Sequence, residues 1–380
     1  MNGEDPLLER GGLINYAEIN LTNLRNNNKI IRGLLSPEVK IISVVKADAY
    51  GHGAEQCSYA LYEEGARMFA VASVHEAMQV RGCLPRGAEI IILGYTPPGC
   101  AEYLSIYGFI QTVYSSEYAE MLDKAAPSPV RVHIKVNTGM NRLGFKADEN
   151  GITDVRSIIK LKKLRCEGIF THFACADEPA NPKNAAQFEL FMSFVNCIES
   201  SDFKFALKHC ANSGAVLNAP DTHLDAVRAG VIQYGLGLAA PNPDIFEMGM
   251  KPVMTLYSLI SQIYYIKKGE TVGYGASYKA EKDMRIIVMP IGYADGFIRA
   301  YKKCCVTVNG SLLPITGRIC MDQCMADATD VGGELKIGGR VALFGGGALK
   351  TAEDYAEAAG TINYETVCLI SKRVRRVTVT

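Results

Sequence analysis

Along the chain, apolar residues gather into short unbroken runs rich in β-branched side chains, separated by stretches with helical spacing. From about residue 38 to 235 the runs occupy 39–46, 68–73, 90–94, 109–113, 130–137, 166–172, 205–210 and, more weakly, 224–228. Between them 54–64, 74–81, 117–125 and 184–199 read as helices. In the last of these Phe188, Phe191, Met192 and Val195 recur at helical spacing. Runs that are apolar throughout, rather than alternating, suit strands covered on both faces, as in parallel sheets. Eight such strands with intervening helices over ~200 residues predict an α/β fold, a closed (β/α)8 barrel of TIM type. A doubly wound open sheet is the alternative.

Past Pro241-Asn242-Pro243 the texture changes. Runs at 255–266, 286–290, 305–308 and 340–344 are set off by glycine turns at 309–310, 332–333 and 338–339 and predict strands, while helical periodicity returns mainly at 352–360. The expected organisation is a barrel domain over 1–242 and a mainly β C-terminal domain over 243–380. The strand-like stretch 14–20 joins the second domain in this reading, with Thr22 as the N-cap of a helix running through Arg32.

Lys+Arg and Asp+Glu balance at 40 each, so no net field favours nucleic acid or an anionic surface as partner. No apolar run approaches the ~20 residues of a membrane-spanning helix. The opening MNGEDPLLERGG lacks the apolar core of a signal peptide. The 12 cysteines form no C-x-x-C pair, which argues against zinc and fits a reducing, cytoplasmic setting.

The polar residues that interrupt the barrel pattern fall in telling places. In a (β/α)8 barrel the chemistry sits at the carboxyl ends of the strands. Lys46 ends the first run, Arg142 follows the fifth, His172 ends the sixth, Asn212 and Ser213 follow the seventh, and Arg228 with Gly230 closes the eighth. One strand-end cation is ordinary; five such ends on one rim point to a site. A lysine in a partly desolvated pocket loses basicity and can condense with an aldehyde. Tyr50, Ser213 and the Gly230–Val231 backbone supply neutral donors suited to a phosphate, and Gly230 lets the backbone approach closely. Together these describe a site for pyridoxal 5'-phosphate.

The segments SVVKADAYGHG (43–53), KVNTGMNRLGF (135–145), THFACAD (171–177), HCANSG (209–214), VRAGVIQYGL (227–236), VGYGASY (272–278), PIGYADG (290–296), GRICMDQ (317–323) and TINYE (361–365) resemble, in order, those of the alanine racemases. The likeness runs from about residue 14 to 376, and the motifs are specific jointly rather than singly. It implies a pyridoxal phosphate-dependent homodimer with shared active sites that interconverts L- and D-alanine and supplies D-alanine for peptidoglycan. Lys46 then matches the lysine that carries the cofactor and serves as one base. Tyr274 matches the opposite base, delivered by the second subunit. His172 matches the residue orienting that tyrosine, with Arg228 bonded to the cofactor's pyridine nitrogen. Tyr50, Ser213, Gly230, Val231 and Tyr364 match the phosphate-binding set, with Asn212 beside Ser213. Arg142, Met321 and Tyr293 match substrate-side positions, and Lys135 matches a lysine that is often carbamylated. Asn137 stands where the family usually has Asp, and Asn141 where it usually has Gly or His.

Racemisation removes a proton from one face of Cα and returns it to the other, so two acid–base groups on opposite sides are the simplest arrangement. A permanent cation at Arg228 disfavours protonation of the ring nitrogen and so limits side reactions such as transamination. Related activities remain in view: a serine racemase of the glycopeptide-resistance type, against which Tyr364 speaks; a single-barrel cofactor-binding protein, against which residues 243–380 speak; and a decarboxylase, which needs a glycine-rich phosphate loop where this chain has HCANSG. His52 reads as a turn or rim residue. His209 reads equally as support for the site or plain core. His75, His133 and His223 receive no role.

Overall fold

The computed structural model describes residues 12–239 and 241–380. The chain divides into two compact units, Leu24–Met250 and the stretch up to Asn23 together with Lys251–Thr380. Strands are numbered along the chain. The first, β1 (Tyr16–Asn20), belongs to the second unit.

The larger unit is built on β2 (Lys40–Val44), β3 (Met68–Val71), β4 (Glu89–Ile92), β5 (Ile110–Val113), β6 (Val130–Asn137), the two-residue β7 (Phe145–Lys146), β8 (Leu164–Phe170), β9 (Leu207–His209) and β10 (Ala226–Ala229). Eight of them pair in parallel in the order β10-β2-β3-β4-β5-β6-β8-β9, with β7 added alongside β6. The ends of this path meet. Asp225 N donates to Lys208 O at 3.1 Å and Arg228 N to Ala211 O at 3.0 Å, which leaves a nearly closed barrel. Every residue of β3, β5 and β10 is buried, as expected for strands covered on both faces. The β10 strand begins two residues later than the weak 224–228 pattern suggested.

Four helices of this unit start where a side chain can satisfy the first free N–H groups. Ser73 accepts from Glu76 N, Ser115 from Tyr118 N, Asp148 from Gly151 N and Asn212 from Ala215 N, at 2.9–3.3 Å. The helix Leu21–Gly33 corrects the expectation at Thr22. Its cap is Asn20, whose Oδ1 accepts from Asn23 N at 2.8 Å, because the strand runs directly into the helix.

The second unit contains β11 (Met254–Leu259), β12 (Gln262–Ile266), β13 (Thr271–Val272), β14 (Tyr278–Lys279), β15 (Met284–Met289), β16 (Cys305–Val308), β17 (Ser311–Pro314), β18 (Cys324–Asp327), β19 (Arg340–Gly345) and β20 (Arg375–Val379). A six-stranded sheet has the order β17-β16-β19-β11-β1-β20, and β12-β15-β18 form a second sheet. Strand β1 lies antiparallel to β11 and parallel to β20, and Tyr16 stacks on Tyr257 at 5.1 Å. The apolar run 255–266, expected as one strand, is two. Ile260 N bonds Gly339 O and Ser261 N bonds Val288 O, so the chain changes sheets between these residues. Phe297, Tyr301, Phe344 and Tyr355 pack as a buried aromatic cluster with centroids 5.1–5.8 Å from Tyr355. A short helix, Asn363–Cys368, carries Tyr364 and had no signal in the periodicity. Among the described residues no helix is long and apolar enough to cross a membrane.

Candidate active site

Strand β2 ends one residue before the ladder does. Val45 N still donates to Ala70 O at 2.9 Å, and Lys46 follows at the barrel mouth. The chain then makes a single left-handed turn. Ala47, Asp48, Ala49 and Tyr50 have φ of 52°, 54°, 53° and 53°. Each such residue costs roughly 1–2 kcal/mol relative to right-handed backbone, so surrounding contacts must hold the turn. Glu76 Oε1 accepts from Ala47 N at 2.8 Å, Asp48 Oδ1 accepts from Ala54 N at 2.7 Å, and His52 Nδ1 donates to the carbonyls of Ala49 and Tyr50. His52 is fully buried against Tyr234, which makes it the turn residue that its position suggested.

Arg228, on β10 directly beside β2, organises the wall made with the ends of β8 and β9. Its Nη1 donates to His209 Nδ1 at 2.7 Å and to His209 O. Its Nη2 donates to the carbonyls of Thr171 and Cys210 and to His172 Nδ1 at 3.1 Å. Arginine offers only donors, so both imidazoles accept at Nδ1 and carry their protons on Nε2. His209 Nε2–H then donates to His133 Nδ1 at 3.1 Å, which imposes the same tautomer there. Burial, reinforced by Arg228, holds His172 and His209 well below the ordinary imidazole range. Burial, with Arg131 and Arg228, takes His133 down to about 3. Burial also lowers the Arg228 guanidinium to about 10.

Lys135, near the end of β6, is buried with its Nζ 4.7 Å from the centre of the Phe170 ring, which in turn stacks on His209. Burial first, then Arg228 and Arg142, hold its amine well below the usual lysine range. Asn137 shapes the loop that leads to Arg142. Its Oδ1 accepts from Gly139 N and Asn141 N, and its Nδ2 donates to Asn141 Oδ1. Asn141 has φ 56°, a conformation that asparagine tolerates better than most residues. A Cβ at Gly144 would lie 2.6 Å from Asn137 N, so that position has room only for glycine.

The third part of the site is a cradle. Gly230 N donates to Ser213 Oγ at 3.1 Å, and a Cβ on Gly230 would stand 2.9 Å from Tyr50 Oη and 3.5 Å from Ser213 Oγ. Two buried hydroxyls and an approachable backbone thus converge after β10, next to the 3-10 turn Val231–Tyr234. The donor set is neutral, close-set and suited to phosphate oxygens. The Asn212 side chain is committed to capping Ala215 N. The residues present fit a phosphorylated cofactor.

Tyr274, Tyr293, Met321 and Tyr364 belong to the second unit. Its loops bring three of them onto interlocked backbones. Tyr293 N donates to Cys320 O and Ala294 N to Met321 O, while a Cβ at Gly317 would lie 2.9 Å from Val272 O. Tyr274 follows Gly273 (φ 75°), precedes Gly275 (φ 70°), and is 72% exposed. Arg373 clasps the set from behind, with Nε 3.3 Å from buried Asp295 and Nη1 2.9 Å from Asp322. Tyr364 sits half-buried on its helix.

Sequence reasoning passed over Glu76, the role of His133, and Arg373 with Asp295. Their partners lie 29, 76 and 78 positions away along the chain, and the only local signal was Glu76 three residues after Ser73.

Residues 19–237 match the family model "Alanine racemase, N-terminal domain" and 253–378 match "Alanine racemase, C-terminal domain". The alanine racemase of Clostridium novyi is 42% identical over 95% of this chain and 94% of its own length. Alanine racemase 1 of Clostridium acetobutylicum is equally similar. Among solved structures, the alanine racemase of Clostridium difficile 630 superposes with a TM-score of 0.91 at 38% identity, covering 97% of this chain and 96% of that one. The Streptomyces coelicolor enzyme superposes with 0.91 at 35% identity, covering 98% and 100%. Motifs, barrel and β unit, and relatives of matching length agree: the chain belongs to the alanine racemase family.

Proposed function

We propose that this chain interconverts L- and D-alanine with pyridoxal phosphate held in the barrel mouth. Lys46 and Tyr274 are the two acid–base groups, and Tyr274 comes from a second copy of the chain in a homodimer. The observation that carries the reading is the charge around His172. Arg228 Nη2 bonds Nδ1 of this half-buried imidazole at 3.1 Å, and Arg228, Lys135, Arg142 and Lys46 all disfavour its protonation. Arg228, Arg142 and Lys46, basic side chains brought together at the strand ends, suit a site that takes a phosphate and an amino-acid carboxylate together.

Bound pyridoxal phosphate would supply a carbonyl that condenses with amines and a ring that acidifies the substrate Cα–H bond. Tyr50, Ser213, Gly230, Val231 and Tyr364 would hold its phosphate. Arg228, as a cation, would face its ring nitrogen and disfavour a proton there. Arg142 and the Met321 backbone receive the substrate carboxylate, and Tyr293 lines the approach. Lys46 Nζ takes or returns the Cα proton on one face, and the Tyr274 phenol does so on the other. His172, with its Nε2–H fixed by Arg228, is a donor to a phenol oxygen. The high exposure of Tyr274 on its glycine-flanked turn supports delivery to another molecule. The neutral Lys135 amine attacks carbon dioxide, forming an N–C bond and releasing a proton, and the resulting carbamate balances Arg142. A cytoplasmic setting, with D-alanine passing to peptidoglycan, completes the reading.

The test is direct. The purified chain, supplied with pyridoxal phosphate and L-alanine, is expected to yield equal amounts of both enantiomers by chiral chromatography. Borohydride reduction is expected to trap the cofactor on Lys46. Failure to form D-alanine overturns the reading. Carbon-13 bicarbonate NMR reports a carbamate on Lys135, and loss of that signal in Lys135→Arg is expected.

A further inference from the structure

Parallel strands bond through alternate residues, so after Val45 N, which reaches Ala70 O, the next ladder donor of β2 is Ala47 N. Strand β3 does not supply its acceptor. Glu76 does, from the third position of the helix Val74–Cys83, where an acidic side chain normally reaches back only to its own cap. One carboxylate oxygen accepts from Ala47 N at 2.8 Å and the other from Ala72 N at 2.6 Å. The same carboxylate therefore ties the end of β3 to the first residue of the left-handed turn. Asp48 holds the exit of that turn through Ala54 N.

We infer that Glu76 is a positioning residue for Lys46: its carboxylate stands in for the missing strand acceptor and keeps the left-handed turn in register with β3. The direction in which Lys46 leaves the barrel is set as a consequence. A carboxylate is required because two N–H groups from different segments converge on it and neither has a carbonyl in line. The role deepens the proposed function and rests on Lys46 as the cofactor lysine.

The experiment compares the full chain with Glu76→Ala and Glu76→Gln, the latter keeping one acceptor oxygen. Hydrogen exchange of peptides spanning 46–54 and 74–83 is followed in cofactor-free protein, together with the rate of covalent attachment of pyridoxal phosphate at Lys46. In Glu76→Ala, exchange in 46–54 is expected to rise about tenfold, as for a locally loosened segment. Attachment is expected to slow about tenfold through lost orientation, with Glu76→Gln between it and wild type. If only 74–83 loosens, Glu76 is a helix cap and the inference fails. If 46–54 loosens while attachment keeps its rate, the positioning role fails. If Glu76→Ala does not fold, the same two outcomes are read on Glu76→Gln. A wild-type chain that never attaches the cofactor at Lys46 overturns the proposed function itself, and the exchange data still decide whether the clamp exists.

Discussion

Arg228 Nη1 meets His209 Nδ1 at 2.7 Å, and because arginine cannot accept, that contact dictates a run of proton positions reaching His133. Three imidazoles, buried His133 and His209 and half-buried His172, are kept neutral in the fold and become free to protonate on unfolding. Each therefore stabilises the protein fully above an ordinary pKa near 6.5, and that contribution drains as pH falls toward the depressed folded value, about 3 for His133. Urea denaturation from pH 7 to pH 4 is expected to show stability falling by up to about 1.4 kcal/mol per pH unit for each histidine. His133→Asn is expected to reduce proton uptake on unfolding by about one. A flat profile below pH 6 counts against the neutral relay.

The register between β6 and β8 shifts after Val132, where β8 takes the extra residue Glu167, and this places Gly168 opposite His133. A Cβ there would stand 2.5 Å from His133 Nε2 and 2.8 Å from its Cε1. Gly168→Ala is expected to cost about 1–3 kcal/mol by overpacking, measured by denaturation, and to break the His133–His209 contact, read by nitrogen-15 shifts of the imidazoles.

Gly230→Ala puts a methyl group 2.9 Å from Tyr50 Oη, inside the proposed phosphate cradle. Cofactor affinity is expected to fall about tenfold or more, about 1.4 kcal/mol, with the thermal midpoint nearly unchanged. Titration of cofactor-free protein with pyridoxal phosphate measures it.

Tyr274→Phe removes one acid–base group and leaves the barrel untouched. A fall in kcat of about 10²- to 10⁴-fold is expected, while pyridoxal phosphate still attaches. Turnover at the wild-type rate would remove the phenol from the reaction.

Arg228→Glu reverses the charge facing the proposed ring nitrogen. The ratio of transamination to racemisation is expected to rise about tenfold, because a carboxylate favours protonation where the guanidinium opposed it. An unchanged product ratio would assign Arg228 to framework alone.

Much of this molecule was written in local pattern. The all-apolar runs marked the barrel strands because parallel strands are buried on both faces, and the polar residues that ended those runs marked the mouth. The motif set around Lys46, Arg142, His172, Ser213, Arg228 and Tyr274 carried the family. Tertiary structure alone decided the rest. The 255–266 run became two strands because its neighbours pull Ile260 and Ser261 into different sheets. Asn20 displaced Thr22 as a cap because β1, held between β11 and β20, runs without a gap into the helix. Glu76 and His133 acquired their partners only when the barrel brought β2 beside β3 and set β6 and β9 on either side of β8. A hydrogen bond between distant residues leaves no spacing in the sequence, and a proton position depends on what the folded neighbours can donate.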